Sequence, residues 1–185
     1  ALILISSNCQ AVYAAQSTSY VTGDDNYRQP VPECYVVSDV INNIGSYEDK
    51  KTEFKKPQDL FIDDNDNIYV VDSGNHRIVK MNSDYETVAI YYGPDKAFKS
   101  PQGIFVDDDG DMYVADTENN RIVHMDCNGN FVEEFTNPES ELETGEVFTP
   151  TKLVVTNTGY IYTVKSENIM AIDGNNTFRG YYGQT

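Results

Sequence analysis

The sequence predicts an all-β fold made of repeated four-stranded units. The first observation is a repeat, because residues 54–81 and residues 98–125 align without a gap at an offset of 44 residues. The second is a weaker copy at residues 148–172, which keeps Pro150 and Gly159 in register. The third is the alternation of short apolar runs with turns rich in Asp, Asn and Gly, which is typical of β-hairpins. A period of about 44 residues lies in the range of four-stranded blades, so we expect a β-propeller.

Each unit divides into four predicted strands. The first is apolar at successive positions, which favours a strand buried on both faces, at 60–62, 104–106 and 153–155. The second strands are predicted at 68–71, 112–115 and 161–164, and the third at 78–81, 122–125 and 169–172. The fourth are predicted at 87–91, 131–135 and 177–181. The third copy is degenerate, because the loop after its second strand is shorter than in the other two.

The repeated pattern Pro-x-Gly/Asp, Val/Ile-Asp, Tyr-Val-x-Asp and Asn-x-Arg-Ile resembles the NHL repeat, a β-propeller blade. The resemblance covers roughly residues 54–183, with two strong copies and one degenerate copy. It implies four-stranded blades in a ring that commonly closes with about six of them. It also implies an interaction module or an extracellular sensor domain.

A motif Asp-x-x-Asn-x-Arg falls between the second and third strands of two blades. It occurs at Asp72, Asn75 and Arg77 and again at Asp116, Asn119 and Arg121. We expect a structural role for it. The aspartates would accept backbone N–H groups of the turn, and the asparagines would take its left-handed conformation. The arginines would bind a carboxylate within or between blades.

The domain organisation follows from these units. Residues 1–15 carry a short apolar run and small residues, which indicates the end of a secretory signal peptide cleaved after Ala14 or Ala15. The rest divides into a linker at 16–33, a segment at 34–45 and blades at 54–93, 98–136 and 148–183. We expect 35–41 to be an outer strand that latches the last blade of a ring. Three blades make an incomplete ring, so we expect a fragment; pairing of two such chains is the alternative.

Composition limits the partners. The formal net charge is −17 and the pI is about 4.2. Binding to nucleic acid requires clustered Lys and Arg, so we predict no nucleic-acid partner. The same charge opposes docking to anionic lipid. We predict no transmembrane segment, because no apolar run is long enough. Cys34 and Cys127 would remain after cleavage, and nothing in the repeat places them in contact.

The sequence predicts neither a metal nor another cofactor. The two histidines, His76 and His124, occupy different positions in their blades, which opposes a zinc site built on them. Asp107, Asp109 and Asp111 have the spacing of the first calcium ligands of an EF-hand. The position that requires Gly is Met112, however, so we interpret this segment as an ordinary hairpin turn.

A ligand would bind where the loops between blades and the loops between second and third strands surround the channel mouth. Several polar side chains are expected there: Gln58, Asp59, Ser73, His76, Gln102, Thr117, Glu118, Asn120 and Lys152. The amides of Gln58 and Gln102 either face the channel or bond the neighbouring blade. Loops of this kind carry function more often than the strands do.

Two functions remain open. The first is a non-catalytic propeller that binds a protein, peptide or glycan at the cell envelope. The second is a metal-dependent enzyme, because propellers similar to gluconolactonases, and peptide-amidating lyases, hold a divalent metal in the channel. The starts of the innermost strands would supply the ligands, and only Asp59 is suitable there. We therefore favour binding over catalysis.

Overall fold

A computed structural model describes residues 20–22, 28–30, 40–45, 47, 53–138 and 147–183. The chain divides into two compact units, Ala1–Ile41 and Asn42–Thr185. In the first unit, β1 (Tyr20–Thr22) pairs antiparallel with β2 (Arg28–Pro30). This hairpin lies within the segment predicted as a linker. The predicted signal peptide lies outside the described residues.

The second unit contains three four-stranded antiparallel sheets, which confirms the all-β propeller fold. The first blade consists of β3 (Pro57–Ile62), β4 (Ile68–Asp72), β5 (Arg77–Met81) and β6 (Thr87–Tyr91). The second consists of β7 (Gly103–Val106), β8 (Met112–Asp116), β9 (Arg121–Met125) and β10 (Phe131–Phe135). The third consists of β11 (Pro150–Val155), β12 (Ile161–Lys165), β13 (Asn168–Ile172) and β14 (Phe178–Tyr182). Each sheet keeps its strands in chain order.

The Asp-rich turns between first and second strands are closed by their own first aspartate. Oδ1 of Asp107 accepts the N–H groups of Asp109 and Asp111 at 3.0 and 2.9 Å. Asp63 does the same in the first blade, for Asn65 and Asn67. These carboxylate oxygens bind the turn itself, as the interpretation of an ordinary hairpin requires.

The core lies between blades, because alternate residues of a strand face opposite neighbours. Val114 and Val123 of the second blade belong to a buried cluster shared with the first blade. Ala115, which follows Val114, and Ile122, which precedes Val123, belong to a cluster shared with the third blade. All five residues of β9 are buried. Each large apolar side chain buried in this way stabilises the fold by ~1.5–3 kcal/mol.

Ile44 and Phe54, which precede the first predicted blade or begin it, contribute to the core of the first blade. Ile44 is 2% exposed and packs with Val79 and Met81. Its carbonyl accepts the hydroxyl hydrogen of Thr87 at 2.9 Å, and the N–H of Phe54 bonds to the carbonyl of residue 42. Most of the strand predicted at 35–41 lies outside the described residues, so the latch remains a prediction. Within the part of the chain that is described, no helix is long and apolar enough to cross a bilayer.

Candidate functional site at the top face

The predicted ligand-binding residues all lie at one end of the blades, which we call the top face. Here β3, β7 and β11 begin, and the loops 73–76 and 117–120 join the second strands to the third. Each loop contains one turn of 3-10 helix, Ser73–Asn75 or Thr117–Asn119. The Asp-rich hairpin turns lie at the opposite end of the strands, the bottom end.

Buried aspartate–arginine pairs hold the top face together. Oδ2 of Asp72 lies 2.7 Å from Nε of Arg77, and Oδ2 of Asp116 lies 2.9 Å from Nε of Arg121. All four side chains are at most 3% exposed. The arginines therefore bind a carboxylate within their own blade, as the motif predicted.

The remaining aspartate oxygens bind a different partner from the one expected. Oδ1 of Asp72 accepts the backbone N–H of Lys55, and Oδ1 of Asp116 accepts that of Lys99, both at 2.7 Å. The expectation of a bond to the turn itself was wrong, because neither aspartate caps its 3-10 turn. The motif instead ties the second strand to the segment that enters the same blade.

The asparagines of the motif also act differently from the prediction. Nδ2 of Asn119 donates to Oδ2 of Asp116 at 2.7 Å and to the carbonyl of Ala97 at 2.9 Å. The left-handed conformation falls one residue later, at His76 (φ 56°) and Asn120 (φ 58°). The shift arises because one turn of 3-10 helix precedes the residue that reverses the chain.

Three predicted ligand-binding residues fasten one blade to the next. Nδ1 of His76 accepts the backbone N–H of Ser100 at 2.9 Å. Nδ2 of Asn120 donates to the carbonyl of Phe148 at 2.9 Å, and the hydroxyl of Thr117 donates to the carbonyl of Pro150 at 2.7 Å. Their positions are therefore fixed by contacts between blades.

A lysine from the third blade lies among the innermost strands. Nζ of Lys152 is 2.8 Å from Oδ1 of Asp59, 2.6 Å from the carbonyl oxygen of Gln58 and 3.1 Å from that of Gln102. The second oxygen of Asp59 accepts the N–H of Ile104 at 3.1 Å. The main chain of Gln58 and Gln102 thus binds the third blade.

The exposed polar groups of the top face include a surface ion pair. Nζ of Lys99 lies 3.5 Å from Oε2 of Glu118, and both side chains are more than half exposed. A hydrogen bond with Ser100, together with Lys99, lowers the pKa of Glu118. Gln58 and His76 are also exposed, whereas Ser73 is buried. Sequence reasoning missed Lys99, although its place just before the blade matches that of Lys55.

His124 lies at the bottom end, away from the candidate site. Its Nδ1 is 3.1 Å from Glu133, its Nε2 is 3.3 Å from Asp111, and its ring stacks on Tyr113. A cleft of about 410 Å³ lies nearby, between the turns of the first two blades, and Cys127 forms part of its wall. Cys127 is exposed, and Cys34 lies outside the described residues.

The described residues do not fit a channel metal centre. Asp59 is the one carboxylate at the starts of the three innermost strands, and both its oxygens bind protein groups. Across the described part of the chain, no three His, Cys, Asp or Glu side chains converge in a way that could hold a metal ion. A divalent cation needs several such ligands.

Sheets that keep their strands in chain order and pack face to face define this molecule as a β-propeller protein. Residues 60–159 match the model of the SMP-30/gluconolactonase/LRE-like region. The chain therefore belongs to this family. None of the curated proteins matches its sequence.

Solved structures agree on the fold. The chain is similar to a streptogramin B lyase, with a TM-score of 0.54 and 16% identity over 74% of this chain and 45% of that one. It is similar to a catalytically inactive virginiamycin B lyase from Staphylococcus aureus with quinupristin (TM-score 0.53, 17% identity, 70% and 44%). It is also similar to Kuenenia stuttgartiensis hydrazine synthase (TM-score 0.54, 13% identity, 80% and 38%). The chain spans less than half of each, and such likeness shows the fold alone.

Proposed function

We propose that this chain is part of an extracytoplasmic β-propeller that binds a protein, peptide or glycan at the cell envelope without catalysis. The observation that carries this proposal is how the top face is built. Buried Asp–Arg pairs and bonds between blades fix its frame, and polar side chains such as Gln58, His76, Lys99 and Glu118 are left exposed on it. A rigid frame with exposed polar groups suits recognition, because little ordering is needed on binding.

Binding can be measured on the whole chain with defined probes. The immobilised chain would be exposed to a glycan array and to a random-peptide phage library, and hits would be quantified by surface plasmon resonance. We expect one class to bind, and the double variant Gln58→Ala/Glu118→Ala to weaken it by ~10-fold, about 1.4 kcal/mol. The matched control Asp64→Asn/Asp108→Asn changes two exposed residues of the bottom end and leaves affinity unchanged. Equal losses in both variants, or no hit in either library, would reject the top face as the binding site.

Family membership favours a second candidate, a metal-dependent lactone hydrolase or lyase. Its ligands would have to come mainly from outside the described blades, since Asp59 alone is placed for the role. The test is hydrolysis of gluconolactone, followed with a pH indicator, with added Ca²⁺, Mg²⁺, Mn²⁺ or Zn²⁺ and then with EDTA. Turnover above the spontaneous rate that EDTA abolishes would replace the binding proposal with the enzyme.

The extracytoplasmic location rests on the pattern of residues 1–15. We expect the mature protein in a cell-envelope or secreted fraction to begin at Ala15 or Gln16, which N-terminal sequencing can read. Recovery of the protein with residues 1–15 still attached would contradict export through this segment. The assignment of the blades to the NHL type also belongs to this proposal and rests on the repeated motif.

A further inference from the structure

Lys152 contacts oxygens of two blades other than its own. Its ammonium lies within 3.1 Å of the carbonyl oxygens of Gln58 and Gln102 and of the carboxylate of Asp59. An ammonium has three N–H donors, so these three oxygens match its full capacity. We propose that the ammonium of Lys152 is the resident cation between the innermost strands of the three blades, and that the three oxygens form a cation site that Lys152 keeps closed to metal ions.

Two of the three oxygens are held in place independently of the lysine. The carboxylate of Asp59 is anchored by the N–H of Ile104 at 3.1 Å. The carbonyl of Gln102 is adjacent to Gly103, where the main chain passes so close to Thr151 that an added Cβ would lie 2.3 Å from its carbonyl oxygen. Carbonyl and carboxylate oxygens that cannot move apart repel one another unless a cation lies between them.

The oxygen set defines which metal would replace the ammonium. Two carbonyls and one carboxylate are hard oxygen ligands, which suit Ca²⁺. Ca²⁺ accepts irregular geometry and completes its shell with water, whereas Mg²⁺ requires a near-ideal octahedron. The side chain of Lys152 is 47% exposed, so water can reach the position. Removal of the ammonium should therefore create a calcium site at a position that excludes calcium in the native chain.

This inference goes beyond the proposed function and does not depend on the ligand of the top face. It is consistent with the finding that no cluster of metal ligands occurs among the described residues, because a lysine from the third blade occupies the oxygens that meet here. A screen that finds no glycan or peptide ligand would leave it unaffected.

The test compares the native chain with Lys152→Met, which keeps most of the length of the side chain and removes its charge. Thermal unfolding is measured in EDTA and in millimolar CaCl₂, and Ca²⁺ binding by isothermal titration calorimetry. We expect the native Tm to be the same in both solutions. We expect K152M to melt ~2–4 °C lower in EDTA and to recover with Ca²⁺, as binding to the folded state requires. Calorimetry should show one Ca²⁺ site in K152M that the native chain lacks.

Two controls decide the interpretation. Lys99→Met removes another exposed, ion-paired lysine of the top face and should gain no Ca²⁺ response. Lys152→Met/Asp59→Asn should lose the response, because its carboxylate ligand is gone. Absence of Ca²⁺ binding by folded K152M overturns the proposal, as does native Ca²⁺ binding that Asp59→Asn abolishes.

A measurement on the native protein covers the case in which K152M does not fold. Lysine labelled with ¹⁵N gives an ammonium cross-peak at neutral pH when its protons are protected from exchange by hydrogen bonds. We expect a protected cross-peak that Asp59→Asn removes and Glu118→Gln leaves in place; the buried Lys165 can give a second one, which neither substitution should affect. A native spectrum with no cross-peak sensitive to Asp59 would reject the resident cation.

Discussion

Asp116 holds Arg121 from inside the second blade: its Oδ2 lies 2.9 Å from Nε of Arg121, and neither side chain is more than 3% exposed. Through Nη1, the same guanidinium also binds Asp95, in the loop between β6 and β7, and Glu134 of β10, each at 2.9 Å. One buried arginine therefore connects the loop before β7, the end of β8 and the outer strand β10. Burial acts to lower the pKa of Arg121, but these carboxylates outweigh it and raise the pKa.

Asp116→Ala should strongly destabilise the fold. It leaves a buried guanidinium without its most buried partner, which costs ~3–5 kcal/mol. Glu134→Ala removes a partner that is 42% exposed and should cost ~1 kcal/mol or less. Urea denaturation of both variants measures the difference. Equal losses would mean that burial does not set the strength of these pairs.

Gly103→Ala should destabilise the contact between the second and third blades. The added Cβ would lie 2.3 Å from the carbonyl oxygen of Thr151, so main chain must move, at a cost of ~1–3 kcal/mol. Gly174→Ala is the matched control, because its nearest atom would be 3.7 Å away. Thermal unfolding should show a lower Tm for Gly103→Ala alone. A Tm equal to that of the control would show that these blades are less closely packed.

Ile44→Ala tests whether the segment at residues 42–45 packs on the first blade. Ile44 is 2% exposed, and truncation of such a side chain costs ~2–5 kcal/mol. Val88→Ala, at a residue 45% exposed, should change stability by no more than ~0.5 kcal/mol. The free energy of unfolding in urea distinguishes the two. A loss for Ile44→Ala as small as that of the control would place this segment outside the core.

Stability should fall as the pH drops below about 4. The N–H of Thr177, with Arg179 and other groups, lowers the pKa of Asp173 to about 2. Burial alone would raise the pKa of Asp95, but the hydrogen bond from Arg121 outweighs it and the pKa is lowered. Folded-state pKa values below the unfolded value of ~3.9 mean that the stabilisation is complete above that pH and lost on acidification.

The measurement is Tm at successive pH values from about 6 down to 2, the range in which these carboxylates become protonated. Asp173→Asn should start lower and decline less steeply, since it has no carboxylate to protonate at this site. A decline as steep as that of the native chain would assign the acid sensitivity to other groups.

Much of the fold followed from the repeat. The strands predicted from apolar runs agree closely with β3–β14, except that β3 and β11 begin three residues earlier, at Pro57 and Pro150. These strands begin with a proline and two polar residues, and the extra residues join the sheet because they reach the end of the next strand, as Pro57 does with Asp72. A run of apolar residues in the sequence does not indicate where polar residues extend a strand by pairing with its neighbour.

The loops between second and third strands could be located from the sequence, but the partners of their side chains could not. Thr117, His76 and Asn120 lie in these loops, and their role in binding a ligand stays a prediction. Their partners are 24 to 33 residues away in the chain, in the next blade, and local spacing carries no information about such bonds. Lys152 shows this most clearly, because its partner Gln58 is 94 residues away.

By itself the sequence determined the class of fold, the strands and the buried Asp–Arg motif, because each depends on residues close together in the chain. Periodicity sets which positions are buried, and the turn residues set where strands end. The tertiary structure decided which polar groups remain exposed and which fasten the blades. It brought Asp59 and Lys152 to a distance of 2.8 Å, a contact that exists only because the first strands of the three blades pack side by side.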